Sequence, residues 1–213
     1  DKALAWRQQW VPYTQLPDSL KRAVIVSEDD IFVQHHGVQW DALEKAWQRN
    51  ARAEALARQN RPAKIVGGST ITQQLAKNMF HGVERTNIVN RIYQKFKEML
   101  ISIKLERRFT KEEIIALYFT TVEFGNNAFG IRTASRTFFN KEPKDLNLVE
   151  SATLVGMLKG STLYNPKRNP ERSLARRNVV LKQMKKNKFL SEAALEEAKI
   201  LPMRIDYAPE THR

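Results

Sequence analysis

Three times along its 213 residues the chain opens an apolar segment with the same polar signature: Thr70-x-x-Gln73, Thr110-x-x-Glu113 and Asn147-x-x-Glu150. In each, the first side chain can accept from the N–H three residues on, while the Gln or Glu reaches back to the first residue's own N–H. Two orphan donors are satisfied at once, so such starts commit the chain to helices. The apolar periodicity agrees. Helices are predicted from Asp18 to about Asp29 (Leu20, Ala23 and Val24 on one face), from Trp40 to about Arg58, from Thr70 to about Met79, and from Ile88 to about Glu106. In the last of these, Ile88, Ile92, Phe96, Met99, Leu100 and Ile103 form the expected core stripe. Further helices are predicted from Thr110 with Ile114, Leu117 and Tyr118, over 129–139, from Asn147 to Leu158, from Pro170 as a first-turn proline to Lys186, and from Ser191 to about Ala198. Phe124-Gly125-Asn126-Asn127 reads as a turn. Only Val11–Tyr13 and Ile65–Val66 suggest strands, as one short pair. The expectation is a mainly α chain with one core and neither repeat nor linker; its length suits one large domain or two intimate lobes.

The charge is uneven. Lys and Arg number 36 against 23 Asp and Glu, a net +13. Ten Lys or Arg against the single Glu171 fall between Lys159 and Lys188, and seven against two acids between Arg85 and Arg108, leaving the rest close to neutral. Charge concentrated in this way points to an anionic partner: nucleic acid, anionic lipid head groups or a phosphorylated substrate. Cysteine is absent, which removes disulfides, thiolate zinc sites and thiol catalysis. His35, His36, His81 and His212 include no metal-binding helical spacing. No apolar run approaches the roughly 18 residues of a spanning helix. The abrupt start at Asp1-Lys2 looks like an excised or mature fragment, from which an upstream anchor could have been removed.

Three clusters could carry chemistry. Glu28 and Asp29 follow the apolar Val24-Ile25-Val26 and precede an irregular polar segment. That is a setting for a general acid or base, and equally for a turn cap with a solvated Glu28. Gly67 and Gly68 open the second cluster, where close backbone approach and the first helical N–H groups favour an anion. Ser69, Gln73 and Lys77 there fall at i, i+4, i+8 and are expected to share a face; the alternative is a well-capped helix with a solvated side. Arg91, Gln94, Lys95, Lys97 and Glu98 make the third, placed opposite the Ile/Phe/Met stripe. A carboxylate among cations stays ionised and can help position a phosphate, although a helix surface laced with ion pairs looks the same.

Together these residues resemble the peptidoglycan glycosyltransferases. Glu28-Asp29-x-x-Phe32-x-x-His35-x-Gly37 matches the family's first signature, and Gly67-Gly68-Ser69-Thr70-Ile71-Thr72-Gln73-Gln74-Leu75-Ala76-Lys77-Asn78 is similar to the second almost letter for letter. Lys95-x-x-Glu98 resembles the third, Ile115-x-x-Tyr118 through Phe124-Gly125 the fourth, and Ala152–Leu158 with Tyr164-Asn165-Pro166 the fifth. Two departures stand out: Gln94 occupies a position that is usually Arg, with Arg91 one turn away, and Thr120 one that is commonly Asn. The front of the chain through Asn78 resembles the monofunctional enzymes, and the part from Asn90 on the bifunctional ones.

The resemblance implies a lysozyme-like, mainly α fold with a globular head lobe and a smaller membrane-associated jaw lobe, as a single glycosyltransferase domain over 1–213 without a transpeptidase domain. It implies polymerisation of lipid II into β-1,4-linked glycan strands, with inversion and release of undecaprenyl pyrophosphate, at the extracytoplasmic face of the cytoplasmic membrane. Carried over, Glu28 is the general base and Glu98 the second essential carboxylate, assisting the leaving group with Mg²⁺ or Mn²⁺. Lys77 and Arg85 grip the donor pyrophosphate; Ser69, Thr70, Gln73, Gln74 and Lys95 line the donor site. Asp29, Phe32, His35 and Gly37 shape the loop that aims Glu28. The implied partners are lipid II, the growing glycan strand, an anionic membrane surface and moenomycin-type inhibitors.

Two other readings compete. A lysozyme-like hydrolase or lytic transglycosylase also places a glutamate at a helix end, but the Gly-Gly-Ser-Thr run followed by Lys77 and Arg85 favours a phosphorylated donor. Arg172, Arg176, Arg177, Lys182, Lys185 and Lys186 could suggest a nucleic-acid module, yet no nucleic-acid motif accompanies them, and no nucleic-acid partner is expected. Met79, Phe80, Ile88, Val89 and Tyr93 flank Lys77 and Arg85, a mixture suited to a membrane interface or, for Ile88 and Val89, to a core.

Overall fold

In a computed structural model of the chain, residues 9–41, 44, 45, 48, 68–80 and 88–208 are described. They contain eight α-helices: α1 (Asp18–Glu28), α2 (Ile71–Met79), α3 (Ile88–Arg108), α4 (Lys111–Thr121), α5 (Gly130–Phe139), α6 (Leu148–Met157), α7 (Pro170–Lys186) and α8 (Glu192–Ile200). All three reciprocal caps form, at Thr70, Thr110 and Asn147. The mainly α expectation holds, and the isolated Glu123–Phe129 bridge is the only β pairing among the described residues. The strand expected at Val11–Tyr13 does not form, and Tyr13 instead opens a 3-10 turn over Tyr13–Gln15. Pro12 has no N–H for a ladder; its carbonyl takes the Gln15 N–H at 2.9 Å, which turns the chain. Ile65 and Val66, and most of the helix expected from Trp40, lie outside the described residues.

The chain divides into two compact units rather than building one core: Asp1–Ile31 with Thr110–Arg213, and Phe32–Phe109. In the first, α6 is buried from Glu150 to Met157, with α1, α5 and α7 packed on it and α8 against α7. Ser19 and Ser151 share a hydroxyl hydrogen bond at 2.9 Å between α1 and α6, and Ser27 donates to Gln183 Oε1 of α7 at 3.1 Å. Gly130 sits at φ +80°, where a Cβ would fall 2.6 Å from the Thr120 carbonyl oxygen. Only glycine lets α5 start so close to the end of α4.

Arg177 departs from the basic face assigned to it. It is 0% exposed, and burial lowers its pKa. Its guanidinium donates to the Leu201 carbonyl at 2.8 Å, the Lys199 carbonyl at 3.1 Å and Asn178 Oδ1. Those carbonyls end α8, so the cation satisfies orphan acceptors and complements the negative end of that helix.

In the second unit α2 packs along α3. The side of α3 turned inward is the reverse of the expected one: Gln94, Glu98, Ser102 and Leu105, at i, i+4, i+8 and i+11, are buried. Phe96 and Leu100 of the anticipated core stripe are 58% and 46% exposed, and Tyr93 joins them. Glu98 can be buried there because Lys95, held by Ser69 and Gln73, stands beside it, and Ser102 donates to the Met99 carbonyl, while Phe96 and Leu100 face outward. Met79 and Phe80 at the end of α2 are also exposed.

Candidate active site

Glu28 is the last residue of α1, in the first unit. Asp29 closes that helix: its N–H reaches the Ile25 carbonyl at 2.9 Å while its backbone leaves the helical region, and its side chain is buried. The apolar face formed by Leu20, Ala23, Val24 and Val26 is buried, so the carboxylate is delivered at the terminus of a firmly packed helix. Glu28 Oε1 is shielded from solvent although the residue is half-buried. Tyr118 of α4, fully buried, has its pKa raised well above the ordinary tyrosine value, first by burial and then by the negative charge of Glu28. The fourth-motif tyrosine is therefore held neutral within the field of this carboxylate, a relationship that spacing along the chain did not reveal.

In the second unit the loop from Phe32 to Gly37 is tied at several points. Phe32 meets His35 edge-on with ring centroids 6.0 Å apart, and the Gly37 N–H donates to His35 Nδ1 at 3.0 Å. Gly37 has φ +91°, and a Cβ there would lie 2.9 Å from the Ser102 carbonyl carbon and oxygen of α3. The Gly37 carbonyl takes a hydrogen bond from Thr70 Oγ1 at 2.6 Å. Phe32, His35 and Gly37 are thus tied to one another, and Thr70 is tied to the same loop.

The centre of this unit's polar cluster is Lys95. Its ammonium donates to Ser69 Oγ at 2.8 Å and to Gln73 Oε1 at 3.2 Å, and it stands 3.4 Å from Glu98 Oε2. Gln73 Oε1 also takes the Thr70 N–H as half of the reciprocal cap. The lysine is about one-third exposed whereas Glu98 is nearly buried, so the ammonium sits between a carboxylate that needs it and an accessible side. Thr72, from the same turn, donates to Glu106 Oε1 at 2.6 Å and fastens α2 further along α3.

Ser69, Thr70, Gln73, Lys95 and Glu98 are thus brought together. Lys77 does share the expected helix but is exposed on its last turn, and Gln74 is half-buried. Arg85 and the side chain of Arg91 lie outside the described residues. Thr120 turns its hydroxyl back to the Ala116 carbonyl at 2.8 Å, so the departure from Asn leaves no orphan hydroxyl. Among the described residues no three His, Asp or Glu gather as a metal cage. Mg²⁺, however, is commonly held by one or two carboxylates together with substrate phosphates. Glu98 is one carboxylate of this cluster, nearly buried and 3.4 Å from the Lys95 ammonium.

A helical scaffold that ends one helix on a glutamate and, in another unit, surrounds a lysine with hydroxyl, amide and carboxylate groups has the equipment of a group-transfer enzyme. The transglycosylase family model matches residues 3–185. A biosynthetic peptidoglycan transglycosylase of Bordetella avium is 39% identical over 176 residues, covering 83% of this chain and 70% of that protein. Penicillin-binding protein 1A of Aquifex aeolicus is 37% identical over 196 residues (92% of this chain, 25% of that one). Penicillin-binding protein 1A of Pseudomonas aeruginosa is 34% identical over 205 residues (96% and 23%). The chain therefore spans about a quarter of these two penicillin-binding proteins. It belongs to the transglycosylase family, the peptidoglycan glycosyltransferases of cell-wall synthesis. No described helix is long and apolar enough to cross a membrane.

Proposed function

We propose that this chain polymerises lipid II into β-1,4-linked glycan strands, inverting the donor anomeric carbon and releasing undecaprenyl pyrophosphate. The observation that carries the proposal is the Lys95 cluster, which joins residues of the second and third family motifs around one ammonium. In this reading Glu28 takes the proton from the acceptor 4-hydroxyl as its oxygen attacks C1 of the donor, and the bond from C1 to the pyrophosphate oxygen breaks. Charge develops on that oxygen, where fixed cations stabilise it most. Lys95 on α3 and Lys77 on α2 are assigned this role, with Ser69, Thr70, Gln73 and Gln74 as neutral contacts to the donor. Arg85 is assigned to the same group on its motif position alone. Mg²⁺ or Mn²⁺ held by Glu98 and the diphosphate would add positive charge at the leaving oxygens.

The two units are read as the head and jaw of the family fold. The exposed Met79, Phe80, Tyr93, Phe96 and Leu100 support contact of the second unit with a membrane, as a lipid-tailed substrate requires. Exposed Arg172, Lys182 and Lys186 of α7 suit anionic head groups. The working site is the extracytoplasmic face of the cytoplasmic membrane, and moenomycin-type phosphoglycolipids are the expected inhibitors. Incubation with lipid II and, separately, with finished peptidoglycan tests the proposal. Chain growth from lipid II is expected; release of muropeptides from the polymer without chain growth would overturn it in favour of a hydrolase or lytic transglycosylase.

A further inference from the structure

The inward side of α3 holds one group that the bonding around Lys95 leaves over. Gln94 is 5% exposed, and its Oε1 accepts no hydrogen bond from the described residues. It lies one turn before Glu98 on the same buried face, where side chains at i and i+4 are neighbours. The adjacent Lys95 directs its ammonium to Ser69, Gln73 and Glu98. A buried acceptor without a donor bears the full cost of its desolvation, whereas an apolar side chain of the same length would bear none. That expense makes sense if a ligand supplies the missing donor.

The ligand's chemistry follows from the atom. Phosphate and diphosphate oxygens are ionised acceptors, so they cannot satisfy a carboxamide oxygen; a saccharide offers hydroxyl and acetamido N–H donors. The residue type points the same way. An arginine at 94 would bring a second cation beside Glu98, but glutamine leaves Lys95 as that carboxylate's neighbour and presents a neutral acceptor. We propose that Gln94 Oε1 is a sugar contact, accepting a hydrogen bond from a hydroxyl or acetamido N–H of the saccharide carried by the donor, and that it does not touch the diphosphate. The inference rests on reading this unit as the donor site of a glycan polymerase.

Gln94→Met tests it, because methionine keeps the length and removes the acceptor. The expected result has three parts: a thermal midpoint unchanged or raised, kcat/KM for lipid II lowered about three- to tenfold by loss of one neutral hydrogen bond, and inhibition by inorganic pyrophosphate unchanged. A fall in thermal midpoint overturns the proposal whatever the activity, since it makes Gln94 a structural residue. Unchanged kcat/KM also overturns it, as does a parallel weakening of pyrophosphate inhibition, which makes the contact one to phosphate. Failure of the unaltered protein to lengthen glycan from lipid II is a separate result, seen before any variant is made; it removes the reading beneath the inference, and the inference with it.

Discussion

Thr70 Oγ1 donates to the Gly37 carbonyl at 2.6 Å while accepting the Gln73 N–H at 3.1 Å. One hydroxyl thus starts α2 and holds the loop that ends the first motif. Gly37, in turn, rests against the backbone of Ser102, so three segments far apart in sequence depend on two small residues.

Thr70→Val keeps the shape and removes both hydrogen bonds. Loss of the cap and a buried carbonyl left without its donor should together cost about 1–3 kcal/mol, read as a lower denaturation midpoint, and Thr70→Ser should recover most of it. Gly37→Ala meets backbone rather than a movable side chain and also strains a positive φ, so it should lower the midpoint and polymerisation together.

Glu28→Gln retains size and hydrogen bonding but cannot take a proton. Polymerisation of lipid II should fall by about 10²–10⁴-fold or more, with an unchanged circular dichroism spectrum. Substantial residual polymerisation places the base elsewhere.

Lys95→Met leaves the nearly buried Glu98 without its ammonium neighbour, so stability and activity should both fall. Adding Glu98→Gln removes the negative charge that this ammonium faced. The double variant is expected to regain stability while staying at least about 10²-fold impaired, because both the fixed cation and the carboxylate assigned to the leaving-group side are then gone. Thermal melts beside glycan-chain assays separate the two effects; recovery of activity in the double variant would remove both Lys95 and Glu98 from the leaving-group role.

Arg177→Met should lower stability by about 2–4 kcal/mol by stranding the carbonyls of Lys199 and Leu201, yet leave flotation on anionic vesicles unchanged in protein that remains folded. Lys182→Glu with Lys186→Glu should do the opposite. Equal effects on flotation from both sets would contradict the burial that separates them.

Tyr118 carries a pH prediction. Its folded-state pKa is raised, so its contribution is fully present below the ordinary tyrosine pKa and is lost as pH rises toward the folded value. Above pH about 10, the unfolded chain can release this proton while the folded one holds it, and unfolding free energy should decline by up to about 1.4 kcal/mol per pH unit from this group. Tyr118→Phe should flatten that alkaline decline in urea titrations; an identical slope in both proteins would show that Tyr118 is not its source.

Helix starts were legible in the sequence because a cap is a local device. Thr70, Thr110 and Asn147 need only the residue three positions on, and all three caps form as spacing predicts. The family motifs were legible for a related reason: the residue types at Glu28, Ser69, Lys95 and Glu98 stand at motif spacings that are read along the chain, wherever the helices run.

What sequence order could not settle was which side of a helix turns inward. By hydropathy the stripe through Phe96 and Leu100 belongs in a core, yet α3 buries Gln94, Glu98 and Ser102. Ser69 and Gln73 hold the Lys95 ammonium beside Glu98, and no periodicity within α3 encodes those two contacts. Arg177 is the same lesson in the first unit, since its charge promised an exposed position and two carbonyls at the end of α8 made burial possible. The sequence by itself determined the helices, their caps and the chemical inventory, because those depend on neighbours along the chain. The tertiary structure alone decided which of those groups meet and which side faces solvent, because desolvation is offset only by atoms that folding brings near.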